Sequence, residues 1–138
     1  MEDKMIELKP FDKEFYESLP EKEKIEIKEN GKYHLILSAE GKAGIVGFIP
    51  LRTSDEEGFI QIILLEKFRG KNILKDAEGQ LVRKYKLKRL YATVDDDNLA
   101  SIKSHEKIGF EKLPNEKLEE LRNKNFLKEN QIRLVKDY

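Results

Sequence analysis

The most apolar stretch of the chain is FIQIILL, residues 59–65, in which Gln61 is the single polar residue. A strand that is apolar on both faces belongs in the middle of a sheet that is covered on both sides. The pattern therefore predicts a central strand over Phe59 to Leu65. Burial would oblige the Gln61 amide to find hydrogen-bond partners there.

A helical spacing follows at residues 72–86, where Ile73, Ala77, Leu81 and Tyr85 recur every four positions. Gly79 weakens this predicted helix by about 1 kcal/mol relative to alanine. The segment RLYATV, residues 89–94, is the next predicted strand. A crossover of this length permits a parallel pairing between the two strands.

The first third of the chain predicts short strands and one helix. A strand covers residues 5–8, and a helix over residues 11–19 ends at Pro20. The pair Asn30-Gly31 favours a tight turn between two extended runs, and a second hairpin passes through AEGK, residues 39–42. These hairpins are antiparallel.

After the RLYATV strand, the pattern alternates between helices and strands. Asp97-Asn98 caps a helix over residues 99–107, which Gly109 ends. FEKL is a strand, Asn115 caps a helix that carries Leu118 and Leu121, and NQIRLVKDY closes the chain as a strand. The predicted fold class is α/β, with a mixed and mostly antiparallel sheet.

Composition narrows the possible functions. The 138 residues fit a single domain, and 27 basic side chains balance 27 acidic ones, so no net charge attracts nucleic acid or an anionic membrane. The chain has no cysteine and two histidines, and we expect no metal site. No apolar run approaches ~20 residues, and the N-terminus lacks the apolar core of a signal peptide. We expect a soluble, cytoplasmic protein.

A basic turn, Arg69-Gly70-Lys71, separates the central strand from the helix that follows it. The first amides of a helix have no partner within the helix and lie at the positive end of its dipole, so a turn that exposes them can hold an anion. The alternative is a solvated connection. From these three residues alone, the solvated connection is favoured.

The region FRGKNILKDAEGQLVRKYKLKRLYATVDDDNLASIKSHEKIGF resembles the GNAT superfamily of acyl-CoA-dependent N-acetyltransferases. That family places a pyrophosphate loop, Q/R-x-x-G-x-G/A, between a central strand and a helix, and Arg69 stands at the opening of the loop. An N-x-x-S-I-x-x-Y-E-K-x-G-F-like segment follows in the family. It is matched here by Asn98, Ser101, Ile102, Glu106, Lys107, Gly109 and Phe110. Within the family, the sequence looks closest to acetyltransferases of protein N-terminal amines.

The resemblance implies a GNAT-like fold over residues 1–138, with helices on both faces and a V-shaped splay between the strands at 59–65 and 89–94. Acetyl-CoA would enter that gap and pair with the backbone of Ile62 and Leu64 like an added strand. Asn98 would contact the pantetheine arm, or serve only as a helix cap, or do both. Backbone amides would hold the pyrophosphate, with charge from Arg69 and Lys71; these amides belong to Gly70, Lys71, Asn72, Ile73 and Leu74.

Two residues depart from the family's loop. Asn72 replaces the middle glycine, and asparagine tolerates a left-handed backbone better than other non-glycine residues. Leu74 replaces the final Gly or Ala and adds bulk where helix and phosphate approach. It can instead point into the core with Ile73 and Ala77. These changes bear on the affinity for CoA more than on the fold.

The candidate acid and base are His105 and Glu57. His105 stands where the family commonly has a tyrosine that protonates the leaving thiolate, and its ordinary pKa near 6.5 suits proton transfer. A buried structural histidine is the alternative. The strand face shared with Leu64 carries no ionisable group near the reaction centre, and Glu57 matches the base position only after a shift of one residue. A water chain or direct attack by a neutral amine is a further possibility. His34 is interpreted as structural.

The acidic run at residues 95–97 is interpreted as a solvated loop with a helix cap, the alternative being attraction of a cationic amine. The sequence predicts an N-acetyltransferase that moves an acetyl group from acetyl-CoA to a small or peptide primary amine, without a metal. The alternative is a non-catalytic acyl-CoA-binding or interaction module with the same fold. A homodimer is possible, whereas no nucleic-acid or membrane partner is expected.

Overall fold

The computed structural model describes residues 6–70 and 72–138 of the chain. Met5 of the first predicted strand and Lys71 of the basic turn lie outside the described residues. Residue contacts divide the chain into two compact units, of which unit 1 ends at Leu87 and unit 2 is Lys88–Tyr138. Within the described ranges, no helix is long and apolar enough to cross a membrane.

Unit 1 contains four strands, which pair antiparallel in chain order. They are β1 (Ile6–Pro10), β2 (Lys32–Ser38), β3 (Gly41–Leu51) and β4 (Ser54–Leu64). The predicted hairpin through AEGK is confirmed as β2–β3. Gly41 leaves its turn with a φ of 122°, a backbone conformation that favours glycine.

The described residues of unit 1 also form two α-helices. Helix α1 (Lys13–Ser18) begins at Asp12, whose side chain accepts a hydrogen bond from the Phe15 N–H. Helix α2 (Ile73–Tyr85) confirms the predicted helix, and its C-terminal cap Lys86 is left-handed. The four-residue spacing of Ile73, Ala77 and Leu81 predicted this helix correctly, because all three side chains are buried on one face of it.

The two helices cover opposite faces of the unit 1 sheet. On one face, the segment after α1 contributes Leu19 and Ile25 to an apolar cluster with Ile45 and Ile63. On the other face, Phe48 of β3 meets Tyr85 of α2, with ring centroids 5.1 Å apart. Strand β4 is therefore covered on both sides, as its apolar sequence predicted.

The turn predicted at Asn30-Gly31 is present, since the Gly31 N–H donates to the Lys28 carbonyl at 3.0 Å, but residues 25–31 form no strand, so the predicted hairpin is wrong. Side chains satisfy this backbone instead of a neighbouring strand. The Glu26 N–H donates to Gln61 Oε1 at 2.9 Å, and the Tyr33 hydroxyl donates to the Glu26 carbonyl at 2.7 Å. The Gln61 amide therefore has the hydrogen-bond partners that the sequence predicted for it. One of them, the Glu26 N–H, belongs to this segment.

Strand β4 begins at Ser54, five residues before the predicted start at Phe59, and it ends at Leu64. Its register with β3 breaks after the pair Pro50–Gly58, since the next pair is Leu51–Ser54. Three residues of β4 lie between these two pairs. Alternation counted back from Leu64 therefore fails beyond Gly58.

Unit 2 is a three-stranded antiparallel sheet in the order β5–β7–β6. The strands are β5 (Arg89–Asp95), β6 (Glu111–Lys112) and β7 (Gln131–Asp137), joined through α3 (Leu99–Lys107) and α4 (Asn115–Asn123). The bounds of α3 are those predicted. The buried side chains of unit 2 include those of Leu90, Leu134, Phe110 and Leu118.

The predicted cap of α4 is wrong. Pro114 occupies the N-cap, and its carbonyl accepts from the Lys117 and Leu118 N–H groups. Asn115 is the first helical residue instead. Pro114 has a non-helical backbone, with a φ of −56° and a ψ of 150°, and the helix begins directly after it.

Candidate functional site

The end of β4 has backbone groups that point away from β3. The Leu65 N–H donates to the Ala43 carbonyl at 2.9 Å, which makes these two a hydrogen-bonded pair. Such pairs alternate along an antiparallel ladder, so Ile62 and Leu64 lie at the non-hydrogen-bonded positions. Their N–H and C=O groups point away from β3, in the direction that an added strand-like ligand requires.

Two described residues of the turn after β4 have a positive φ. A short 3₁₀ turn, Glu66–Phe68, leads to Arg69, and Gly70 follows with a φ of 76°. Asn72 is also left-handed, with a φ of 63° and a ψ of 10°. The expectation that Asn72 supports a left-handed backbone is therefore confirmed.

The described residues around the start of α2 differ in their exposure. Within the described part of the turn, the Asn72 side chain makes no capping hydrogen bond to the helix. Asn72 and Gly70 are exposed, Ile73 is buried and Leu74 is half-buried. The partial burial of Leu74 does not distinguish between the two placements expected for it.

The Arg69 side chain is folded back onto unit 1. Its Nε donates to the Leu64 carbonyl at 3.1 Å, and its Nη2 donates to Glu21 Oε2 at 2.6 Å. Glu21 Oε1 in turn accepts from Lys24 Nζ at 2.9 Å. Lys24 and then Arg69 hold the pKa of Glu21 below its ordinary value.

A pocket of about 250 Å³ opens beside this ion pair. It is lined by residues 19–21 of the segment after α1, and by residues 63–66 and Arg69 at the end of β4. Ligand pockets commonly measure roughly 300–1,000 Å³. The pocket is therefore large enough for part of a cofactor and lies where β4 meets the basic turn.

In unit 2, Asn98 is the N-cap of α3. Its side-chain oxygen accepts from the Ser101 N–H at 3.2 Å. The cap role is thus observed, and the side-chain NH₂ is the group that would donate to an amide carbonyl of pantetheine. The run at residues 95–97 is exposed, and the Asn98 N–H bonds to the Asp95 carbonyl.

His105 is buried in α3, with 7% of its surface exposed. Its Nδ1 lies 2.8 Å from the Ser101 carbonyl, so Nδ1 carries a proton and donates it to that oxygen. The ring meets Phe110 edge-on at a centroid distance of 5.2 Å. Burial lowers the pKa of His105, while the hydrogen bond to Ser101 opposes that shift.

Glu57 lies in the irregular stretch at the start of β4. It is half-buried, whereas its neighbour Glu56 is exposed. Because the β3–β4 register breaks between Gly58 and Ser54, the strand face of Glu57 cannot be read from the two-residue alternation. Glu57 was expected to match the position of the base only after a shift of one residue, and a break in register is the type of irregularity that shifts a strand in this way.

His34 is a structural residue, as the sequence indicated. Its Nδ1 bonds to the Lys9 carbonyl at 3.1 Å, and its Nε2 accepts from the Tyr85 hydroxyl at 2.5 Å. It thereby connects β1 and β2 to helix α2.

Sequence reasoning missed Glu21, because no pattern near residue 21 indicates a partner 48 positions away.

Comparison with known proteins agrees with this arrangement. The family model described as "Acetyltransferase (GNAT) domain" matches residues 8–111. Curated protein sequences include none with a significant match. The matched range begins in unit 1 and ends in unit 2.

Solved structures share the fold at low sequence identity. A variant of the spermidine N-acetyltransferase SpeG from Vibrio cholerae is 11% identical with a TM-score of 0.71, covering 98% of this chain and 95% of its own. The microcin C7 self-immunity acetyltransferase MccE, in complex with acetyl-CoA and AMP, is 20% identical with a TM-score of 0.60. That match covers 80% of this chain and 62% of MccE.

A third structure is an acetyltransferase from Salmonella typhimurium that modifies the N-terminal serine of the 50S ribosomal subunit protein L7/L12. It is 20% identical with a TM-score of 0.62, covering 80% of this chain and 65% of that protein. The chain thus spans less than two thirds of MccE and of this protein. These likenesses confirm the predicted α/β fold of the GNAT type.

Proposed function

Since the chain belongs to the GNAT acetyltransferase family, we propose that it transfers the acetyl group of acetyl-CoA to a primary amine. The observation that carries the proposal is the strand–turn–helix at residues 62–74. It combines backbone groups of β4 that point away from β3, two left-handed residues in the turn and an N-cap of α2, Asn72, whose side chain makes no capping hydrogen bond.

The proposed cofactor contacts follow from that geometry. Backbone groups of Ile62 and Leu64 hold the pantetheine arm, and the amides of Gly70 to Leu74 hold the pyrophosphate. Arg69 and Lys71 add positive charge, and Asn98 supplies an amide donor to pantetheine. No metal is part of the proposed reaction.

The reaction joins the amine nitrogen to the acetyl carbon and breaks the bond from that carbon to sulfur. A proton leaves the nitrogen, and a proton reaches the departing thiolate. Glu57 is the proposed base, since it is the more buried of the two carboxylates at the start of β4. General acid–base assistance is typically worth 10²–10⁴-fold.

His105 is the proposed acid, and its environment sets a condition on that role. Because Nδ1–H is bonded to the Ser101 carbonyl, only Nε2 is left to exchange a proton with the thiol. Burial disfavours the imidazolium form, so His105 must gain its proton within the ternary complex. Replacement by phenylalanine should slow turnover by about tenfold or more if His105 is the acid.

The burial of His105 also favours a second candidate, a non-catalytic acyl-CoA-binding or interaction module with the same fold. The two are separated by thiol release from acetyl-CoA across a panel of amines, including spermidine and peptides with a free N-terminal serine. Both amine classes are proposed because proteins with this fold act on them. Binding of acetyl-CoA without thiol release would support the non-catalytic module.

The decisive variant is Arg69→Glu, which places a negative charge in the turn. We expect a folded protein that has lost acetyl-CoA binding in calorimetry and thiol release with every amine. The matched control is Arg52→Glu, an equally exposed arginine in the β3–β4 turn. Undiminished binding by Arg69→Glu, or no binding of millimolar acetyl-CoA by the native chain, would overturn the proposal.

We further propose that residues 1–138 act as one domain, because the family match runs across the boundary between the two units.

A cytoplasmic location is proposed, since acetyl-CoA is an intracellular metabolite. A homodimer is also proposed, and sedimentation of the purified chain tests it.

A further inference from the structure

The strongest unassigned feature is the contact that Glu21 makes with the basic turn. Glu21 follows α1 and is 48 residues from Arg69 in sequence, yet its carboxylate takes the Nη2 donor of that arginine at 2.6 Å. A carboxylate and a phosphate compete for the same donors of a guanidinium. Glu21 therefore occupies the group that is proposed to meet the cofactor's pyrophosphate.

The position of Glu21 is imposed from two sides. Lys24 Nζ holds its second oxygen at 2.9 Å, across the 3₁₀ turn Lys22–Lys24. Leu19 and Ile25, which flank this segment, are buried against Ile63 of β4. The segment thus has an apolar attachment to β4, and it presents the carboxylate to the end of that strand.

The Arg69 guanidinium is held in this position by a second bond. Its Nε donates to the Leu64 carbonyl, one of the groups proposed to pair with pantetheine. The pocket of about 250 Å³ is bordered by Glu21, Leu64 and Arg69 together. One ion pair thus touches both the phosphate-binding and the pantetheine-binding parts of the proposed cofactor site.

We propose that Glu21 is an affinity-setting residue of the cofactor site, which competes with the pyrophosphate of acetyl-CoA for Arg69 and must release it when the cofactor binds. This inference rests on the proposed function. Because Arg69 is exposed and Glu21 is partly exposed, the competition is electrostatic and weakens as salt screens the charges.

The test is calorimetric titration of acetyl-CoA into the native chain and into Glu21→Gln, which keeps the shape of the side chain and removes its charge. We expect Glu21→Gln to bind about fivefold tighter at low salt, in line with an exposed ion pair. The difference should shrink at high salt. Glu23→Gln is the matched control, since Glu23 is an exposed carboxylate of the same 3₁₀ turn.

A double-mutant cycle with Arg69→Gln identifies the route of the effect. In the Arg69→Gln background, Glu21→Gln should no longer increase affinity. A purely structural role of Glu21 would give the same change in both backgrounds. Unfolding curves of all variants establish that each is folded.

The outcomes separate this inference from the proposed function. Equal or weaker binding by Glu21→Gln, with a native chain that binds acetyl-CoA, overturns the role of Glu21 and leaves the transferase proposal standing. If neither binds, both proposals fail.

Discussion

At the scale of single residues, the environment of His105 limits its chemistry more than its identity does. The residue type and the spacing in α3 suggested proton transfer, but the side chain is buried and its Nδ1 is bonded to the Ser101 carbonyl. Burial penalises the charged ring, so neutral imidazole is its resting form. The same histidine therefore makes stability depend on pH.

We predict that His105 makes the protein less stable in mild acid. Its pKa in the folded state is lowered by burial below the ordinary value near 6.5, so the unfolded chain binds the proton more readily. The contribution of neutral His105 is fully present above that ordinary value and is lost as pH falls from there towards the folded pKa. Urea unfolding of the native chain and of His105→Asn at several pH values measures it.

Asparagine retains a side-chain N–H for the Ser101 carbonyl and does not titrate. The free energy of unfolding of His105→Asn should therefore fall less steeply with acid than that of the native chain. His34, whose pKa burial also lowers, is present in both proteins and cancels in the comparison. Parallel pH profiles would show that His105 does not carry this dependence.

At the scale of elements, helix α2 was the most predictable part of the chain. Its apolar residues face one way, and its bounds, Ile73–Tyr85, agree with the pattern to within a residue. Local signals also predicted α3 and the β2–β3 hairpin. The failed hairpin at residues 25–31 carried the same kind of local signal, but the side chains of Gln61 and Tyr33 took its backbone groups.

We predict that Gly79→Ala stabilises the protein by up to about 1 kcal/mol, because alanine loses less backbone entropy in a helix interior. A Cβ at residue 79 would lie 3.2 Å from the end of the flexible Arg83 side chain, which can move away. Urea unfolding measures the change.

Gly70→Ala is the control for that substitution. Its added Cβ would have open space around it, but Gly70 has a φ of 76°, which strains any other residue. We expect destabilisation by about 1 kcal/mol or more. A loss of stability in Gly79→Ala would show that the helix surface does not accommodate the extra methyl group.

At the scale of the whole molecule, the balance of 27 basic and 27 acidic residues leaves no net charge to attract an anionic cofactor. Attraction has to come from the local groups of the turn, where Glu21 offsets Arg69. A ligand that binds only the folded state stabilises it, so binding of acetyl-CoA should raise the free energy of unfolding.

We predict that acetyl-CoA at about 100 times its dissociation constant raises the free energy of unfolding by about 2.7 kcal/mol. Thermal and urea unfolding with increasing acetyl-CoA measure this gain. Arg69→Glu should show a much smaller shift at the same concentration, and Arg52→Glu an unchanged one. Identical shifts in the native chain and in Arg69→Glu would place the cofactor elsewhere.

The sequence by itself determined the family, the α/β class, most helices and strands, and a left-handed Asn72 in the turn. These features depend on neighbours within a few positions, or on a motif whose order along the chain is its signature. The resemblance to the family singled out His105 in α3, and the local pattern identified the turn that Arg69 opens.

Only the tertiary structure decided that Glu21 pairs with Arg69, that the β3–β4 register breaks ahead of Gly58, and that residues 25–31 are not a strand. The Glu21–Arg69 pair and the contact of Gln61 with Glu26 join groups that are distant in sequence, whereas the register break lies within the β3–β4 hairpin. An exposed ion pair such as Glu21–Arg69 contributes little energy, and no local sequence pattern indicates it. The affinity of the proposed cofactor site is set at this level, by a carboxylate that lies far from the turn in sequence.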